Sequence, residues 1–173
     1  EDMMPDVMSK GLSYANNSDV ERLAYFNIGI YQALYSLVAT KIPDIREFML
    51  SHTDEIEKIN LYHTTPEARE RTMERLRDLP VDCVFSEYSS LEVSAAGIDK
   101  ALGLSEICNL LGVPVEESIA VGDDYNDISM INAAGLGVAM GNSYDDVKTA
   151  ADIVTSDCDH DGCGEIIRRY MLG

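Results

Sequence analysis

The sequence predicts an α/β chain made of two unlike parts: an α+β first part, and a second part carrying parallel strands with helices packed on them. Three observations carry this reading. From residue 97 onward the patterns alternate as helix, strand, helix, strand, helix, strand, helix. The strand segments there, "SIAVG", "GVAM" and "DIVTS", are short and apolar, and "SIAVG" is continuous and β-branched, as expected of a strand buried on both faces. Before residue 97, "DCVFSEY" and "SLEVSA" read instead as two strands of a hairpin. The boundary between the parts falls at 96/97, giving segments 1–96 and 97–173.

In the first part, Ser18 followed by Glu21 forms a capping-box pattern. Val20, Leu23, Ala24, Ile30, Leu34, Leu37 and Val38 then predict a long helix, broken near Gly29. Pro43 to Ser51 predicts a short helix with Ile45, Phe48 and Met49 inward, and "EKINLYH" (57–63) a strand. Thr65-Pro66 opens a helix with Ala68, Thr72, Leu76 and Leu79 on one face, because proline suits the first helical position.

In the second part, Asp99 is placed to cap a helix with Leu104, Ile107, Cys108 and Leu111 at helical spacing, stopped by Gly112 and Pro114. Ile128, Ile131 and Ala134 mark the next helix, ended by Gly135. Ser143 is expected to cap a helix through Val147 and Ala151, and Glu165 to Leu172 forms the last. Three short parallel strands make a thin sheet, so this half reads as part of a doubly wound domain whose other strands are absent.

The chain carries a formal net charge of -18 and a pI near 4.3. Such a charge disfavours nucleic acid and acidic membrane surfaces as partners and suits divalent cations at a few places, most of the acids being solvated surface. No apolar run approaches the ~20 residues that cross a bilayer, and "EDMMPDVMSKG" lacks the basic start and apolar core of a secretory signal. Cys83, Cys108, Cys158 and Cys163 are too scattered for a disulfide scaffold, so a reducing cytoplasm is expected. "CDHDGC" (158–163) offers thiols, an imidazole and carboxylates, but no second Cys/His pair completes a zinc site.

The segment that asks for a ligand is "GDDYND". Asp123, Asp124, Asn126 and Asp127 crowd five positions directly after a strand, where open parallel sheets bind their ligands. Carboxylates this close repel one another unless a positive group sits among them. Turn carboxylates suit Mg²⁺, a hard cation that takes few protein ligands and keeps water or phosphate oxygens for the rest. Asn126 and the free N–H groups of the following helix can hold a phosphate oxygen, and Gly122 lets the chain approach a ligand closely. Helix capping would account for one such residue but not for four in five positions. Lys100 stands at the start of a helix, where the dipole disfavours a cation, so a phosphate or the aspartates themselves are expected to want its charge.

"GIDKALGL" followed by "IAVGDDYNDISMINAAGLGVAMGNSYDDVKTAADIVTSDCDHDGCGEII" strongly resembles the Cof-like, class IIB branch of the haloacid dehalogenase superfamily, closely over residues 97–173 and more weakly over 1–96. The resemblance implies a partial Rossmann-like core, in residues 97–173, and an α+β cap of the C2B type in residues 1–96. It implies a Mg²⁺-dependent phosphatase of small phosphorylated metabolites. The family's lysine motif is matched by Lys100 and its GDxxND motif by Gly122, Asp123, Asn126 and Asp127. On that resemblance Asp123 binds Mg²⁺ directly, Asp127 supports the metal shell or holds the helix start, and Lys100 and Asn126 contact the phosphoryl group, with Lys100 also balancing the acids.

The family's nucleophilic aspartate, in a DxDGT-like motif after a first strand, has no match here. "DHDGC" (159–163) mimics it but follows "DIVTSDC", at the far end of the chain. The expectation is therefore a C-terminal portion of a phosphatase, inactive by itself, that self-associates or pairs with the segment carrying the nucleophile. The alternative is a short, non-catalytic protein that binds metal, a phosphorylated ligand or a partner. His52, His63 and His160 take no assigned role, although Tyr62 and His63 lie on a strand from which either could face substrate.

Overall fold

The computed structural model describes residues 2–29 and 32–172. The chain divides into two compact units, with the division between Ala96 and Gly97. Both are mixtures of helices and sheet, and the second carries a parallel sheet.

The first unit is built on a six-stranded sheet of order β3-β2-β1-β4-β6-β5. Its members are β1 (Met3–Ser9), β2 (Leu12–Asn16), β3 (Thr40–Ile42), β4 (Ile56–His63), β5 (Val81–Ser86) and β6 (Ser90–Ala95). All neighbours are antiparallel except β2 and β3. The β5–β6 hairpin and the strand β4 stand where the sequence pattern placed them. The β1–β2 hairpin was not legible: its turn is Lys10-Gly11, both at positive φ, and Pro5 interrupts the run.

One face of this sheet gathers Met4, Ala15 and Tyr62 under Val20, Leu23, Phe26, Ile28 and Tyr35. The other packs Leu61, Leu91 and Val93 against Met73 and Leu76 of α4 (Pro66–Leu76), whose first turn is capped by Thr65, with Pro66 following. Leu79 lies beyond that helix and is exposed, not on its face.

The expected long helix from Ser18 is replaced by α1 (Asn17–Val20), a 3-10 turn (Leu23–Phe26) and α2 (Gln32–Val38). The N-cap is Asn16, and the Ser18/Glu21 capping box does not form. Asn16 spends its side chain on Asp19 and on the N–H of Ile45, and the chain turns through the left-handed region at Asn27 and Gly29. Ile30 lies outside the described residues. The helix α3 (Ile45–Ser51) starts at Asp44, whose carboxylate accepts from Arg46 N and Glu47 N.

The second unit is a parallel three-stranded sheet, β7 (Ile119–Gly122), β8 (Leu136–Ala139) and β9 (Ile153–Val154), in that order. Its helices are α5 (Lys100–Leu111), α6 (Ile128–Ala133), α7 (Asp145–Ala150) and α8 (Gly162–Tyr170). The last begins earlier than the sequence pattern placed it. Asp99 caps α5 by accepting from Leu102 N, and Gly112 ends it at a φ of 68°, where a side chain would be strained. Of the apolar stripe expected on α5, Cys108 is buried, whereas Ile107 and Leu111 are exposed. Ser143 is not the cap of α7, which starts after Tyr144; its hydroxyl donates to Met140 O at 2.6 Å.

Candidate active site

The acidic turn leaves the carboxyl end of β7. Asp123 follows Gly122 directly, and Tyr125–Asp127 forms a 3-10 turn that runs into α6. Asp124 is the N-cap, its carboxylate accepting from Tyr125 N at 2.7 Å. Asp127 reaches back, its Oδ2 accepting from Asp123 N at 2.8 Å and Asp124 N at 3.2 Å. The two aspartates make a reciprocal capping box. Capping thus engages two members of the cluster, one more than the sequence argument granted.

Asp127 is 4% exposed. A carboxylate buried this deeply costs several kcal/mol unless donors and a countercharge meet it. Its Oδ1 has that countercharge in the ammonium of Lys100. Gly122 serves the same carboxylate: a Cβ there would stand 2.3 Å from Asp127 Cβ. The close approach seen at Gly122 is that of Asp127.

Lys100 is the first residue of α5, and its Nζ also donates to Asn126 Oδ1 at 3.1 Å. The pairing with Asp127 and Asn126 explains a cation at a helix start that the dipole disfavours. The Lys100 side chain is 45% exposed, and an ammonium carries three donors, so one remains for a ligand. Ala101 N donates to Ser129 Oγ at 3.3 Å, fastening the first turn of α5 to α6.

Asp123 is the exposed member. Its Oδ2 accepts from Asn142 Nδ2 at 3.1 Å, and its Oδ1 meets no protein donor or cation among the described residues. Among the described residues no group of three or more His, Cys, Asp and Glu side chains could hold a metal ion by itself. The donor set fits a hard cation bound through one carboxylate oxygen and completed by water or phosphate. Asp127, with both oxygens committed to protein donors, fits a supporting place.

The "DHDGC" mimic is the start of a helix. Asp157 caps a turn by accepting from Asp159 N and His160 N, and Asp161 pairs with Arg168 at 2.9 Å. The His160 ring beside Asp157 holds that carboxyl below the usual range. Tyr62 and His63 are buried in the first unit and do not face outward; His63 bonds Thr72 Oγ1 at 2.8 Å and the Ser89 carbonyl at 3.2 Å. Sequence reasoning missed Asn142. It lies two residues past the strand "GVAM", but no rule of spacing assigns it to Asp123.

The α/β fold that carries this turn is shared with solved hydrolases. The chain belongs to the haloacid dehalogenase-like hydrolases, whose family model matches residues 11–167. It is 42% identical over 105 residues to a 5-amino-6-(5-phospho-D-ribitylamino)uracil phosphatase, YcsE, of Bacillus subtilis, covering 60% of this chain and 42% of that protein. It is 36% identical over 95 residues to the pyridoxal phosphate phosphatase YbhA of Escherichia coli, covering 55% of this chain and 35% of that protein. The chain thus spans less than half the length of these curated relatives. Among solved structures, a haloacid dehalogenase-like hydrolase from B. subtilis superposes with a TM-score of 0.79 at 26% identity, over 98% of this chain and 66% of that one. A subclass IIB sugar phosphatase superposes with a TM-score of 0.74 at 26% identity, over 96% and 60%.

Proposed function

We propose that this chain contributes the α+β cap, residues 1–96, and the metal- and phosphate-binding half of the core, residues 97–173, of a Mg²⁺-dependent phosphatase acting on small phosphorylated metabolites. The observation that carries the reading is the turn itself. Lys100, Asn126 and Asp127 form one bonded cluster, with Asp123 exposed beside it. Phosphoryl transfer needs little covalent chemistry from such a turn, only positioning and offset of charge on the phosphoryl oxygens. Lys100 brings its remaining donor to those oxygens, Asn126 orients them, and Asp123 holds the cation. Asp127 keeps Lys100 and the turn's N–H groups in place. Magnesium, when bound, polarises the phosphoryl group. The names of the phosphatases YcsE and YbhA support small phosphorylated substrates.

In this reading the attacking carboxylate, which forms an aspartyl-phosphate intermediate, comes from outside residues 1–173, and the strand bearing it, or another copy of the chain, pairs along the edge of β7. The chain alone is then inactive and binds Mg²⁺ only weakly. The test is calorimetric titration of the chain and its Asp123→Ala variant with Mg²⁺, with turnover of p-nitrophenyl phosphate followed in parallel. Weak binding lost in the variant and background turnover are expected. Micromolar affinity that survives Asp123→Ala, or turnover abolished by substituting one carboxylate within the chain, overturns the reading.

A further inference from the structure

Three loops leave the carboxyl ends of the parallel strands, and one side chain joins them. Asn142, after β8, accepts from Cys158 N, after β9, at 3.0 Å. It donates to Asp123 Oδ2, after β7, at 3.1 Å. The first bond settles the amide's orientation: a backbone N–H can only be met by the carbonyl oxygen, so the NH₂ group must face Asp123. The backbone on either side of Asn142 is held as well. Met140 N donates to Gly122 O at 2.9 Å, and Gly141 N donates to Ser156 O at 3.2 Å. Two residues further on, Tyr144 stacks on Tyr125 of the acidic turn, with ring centroids 4.9 Å apart and planes 21° apart.

We propose that Asn142 is a positioning residue that sets the Asp123 carboxylate so that only Oδ1 is offered to a cation; the inference rests on Asp123 being the metal ligand. A neutral amide is suited to this. It occupies one carboxylate oxygen without supplying a positive charge that would compete with the metal. With Oδ2 taken, the carboxylate binds through one oxygen, the mode Mg²⁺ favours, whereas Ca²⁺ readily accepts both. Partners that orient a metal's ligands typically change metal affinity by about 10- to 100-fold when removed.

The experiment compares wild type, Asp123→Asn, Asn142→Ala and Asn142→Asp. Mn²⁺ binding is read by electron paramagnetic resonance, and the Ca²⁺-to-Mg²⁺ preference by competition against Mn²⁺. Asn142→Ala is expected to weaken Mn²⁺ binding about 10-fold and to shift the preference toward Ca²⁺. A purely loop-tying role would lower the melting temperature but leave that preference unmoved. Asn142→Asp keeps the acceptor for Cys158 N and loses the donor to Asp123, so it must also shift toward Ca²⁺; it stands in if the alanine variant does not fold. Binding lost in Asp123→Asn but unchanged in affinity and preference in both Asn142 variants overturns the inference alone. Wild type that binds no Mn²⁺, or binding indifferent to Asp123→Asn, overturns the metal reading and the inference with it.

Discussion

The ammonium of Lys100 lies against Oδ1 of the buried Asp127, while Oδ2 of the same carboxylate accepts the N–H groups of Asp123 and Asp124. One side chain therefore couples the start of α5 to the shape of the acidic turn. Disturbing either partner should be felt in stability and in the turn together.

Lys100→Met removes the countercharge and leaves the carboxylate with amide donors only. We expect a loss of about 1–3 kcal/mol, below the full cost of a broken buried pair because the lysine is half exposed. Urea denaturation followed by circular dichroism measures it. An unchanged midpoint would show that Asp127 does not depend on the lysine.

Gly122→Ala puts a Cβ 2.3 Å from Asp127 Cβ, well inside contact distance. Overpacking of this kind costs about 1–3 kcal/mol. The amide resonances of Asp123 and Asp124 should shift as their acceptor is pushed away. A variant with wild-type amide shifts would mean that the turn yields without moving Asp127.

The first unit should be sensitive to alkali. Tyr35 donates to Asp6 Oδ2 at 2.6 Å and lies 2.9 Å from the Tyr62 hydroxyl. A hydroxyl carries one hydrogen, so with Tyr35 donating to Asp6, Tyr62 donates to Tyr35. Burial pushes both phenols above their ordinary range. Their folded pKa exceeds the unfolded one, so the stabilisation is complete below about pH 10 and falls as pH rises beyond it. Denaturation midpoints at pH 9 and 11 should differ more for wild type than for the Tyr35→Phe/Tyr62→Phe double variant, which starts lower at neutral pH because Asp6 loses a donor. Equal differences would refute this.

Glu165 gives the opposite sign. Its Oε2 accepts from Ser156 Oγ at 2.8 Å and Ser156 N at 3.3 Å, while the Thr155 hydroxyl, 3.1 Å away, gives its one hydrogen to Gly162 O at 2.9 Å. The Ser156 hydroxyl above all, then its N–H, hold the carboxyl below its usual range. Its contribution is present above the unfolded carboxyl pKa and is lost as pH falls through the folded one. Glu165→Gln should flatten the acid limb of the stability profile below about pH 4.5. An acid limb identical to wild type would show the bonds contribute nothing.

The helix–strand rhythm of the second part, the β5–β6 hairpin, the Asp99 and Thr65 caps and the candidate residues Lys100, Asp123, Asn126 and Asp127 were legible in the sequence. Each is written locally, as a period, a cap or a motif spaced over a few residues. The division of labour inside the acidic turn was not. That Asp124 and Asp127 cap one another while Asp123 stands exposed depends on which carboxylate the fold buries over Gly122.

Tertiary structure alone decided the rest. Asp6 is a buried carboxylate only because Ser13, Tyr35 and Asn60, at separations of 7, 29 and 54 residues, converge on it. Asn142 meets Asp123 across 19 residues. Sequence patterns record which face of an element is apolar, since burial of that face drives its formation. A polar side chain's partner is chosen by whichever donor or acceptor the packed elements bring within about 3 Å, and that distance exists only once the strands are side by side.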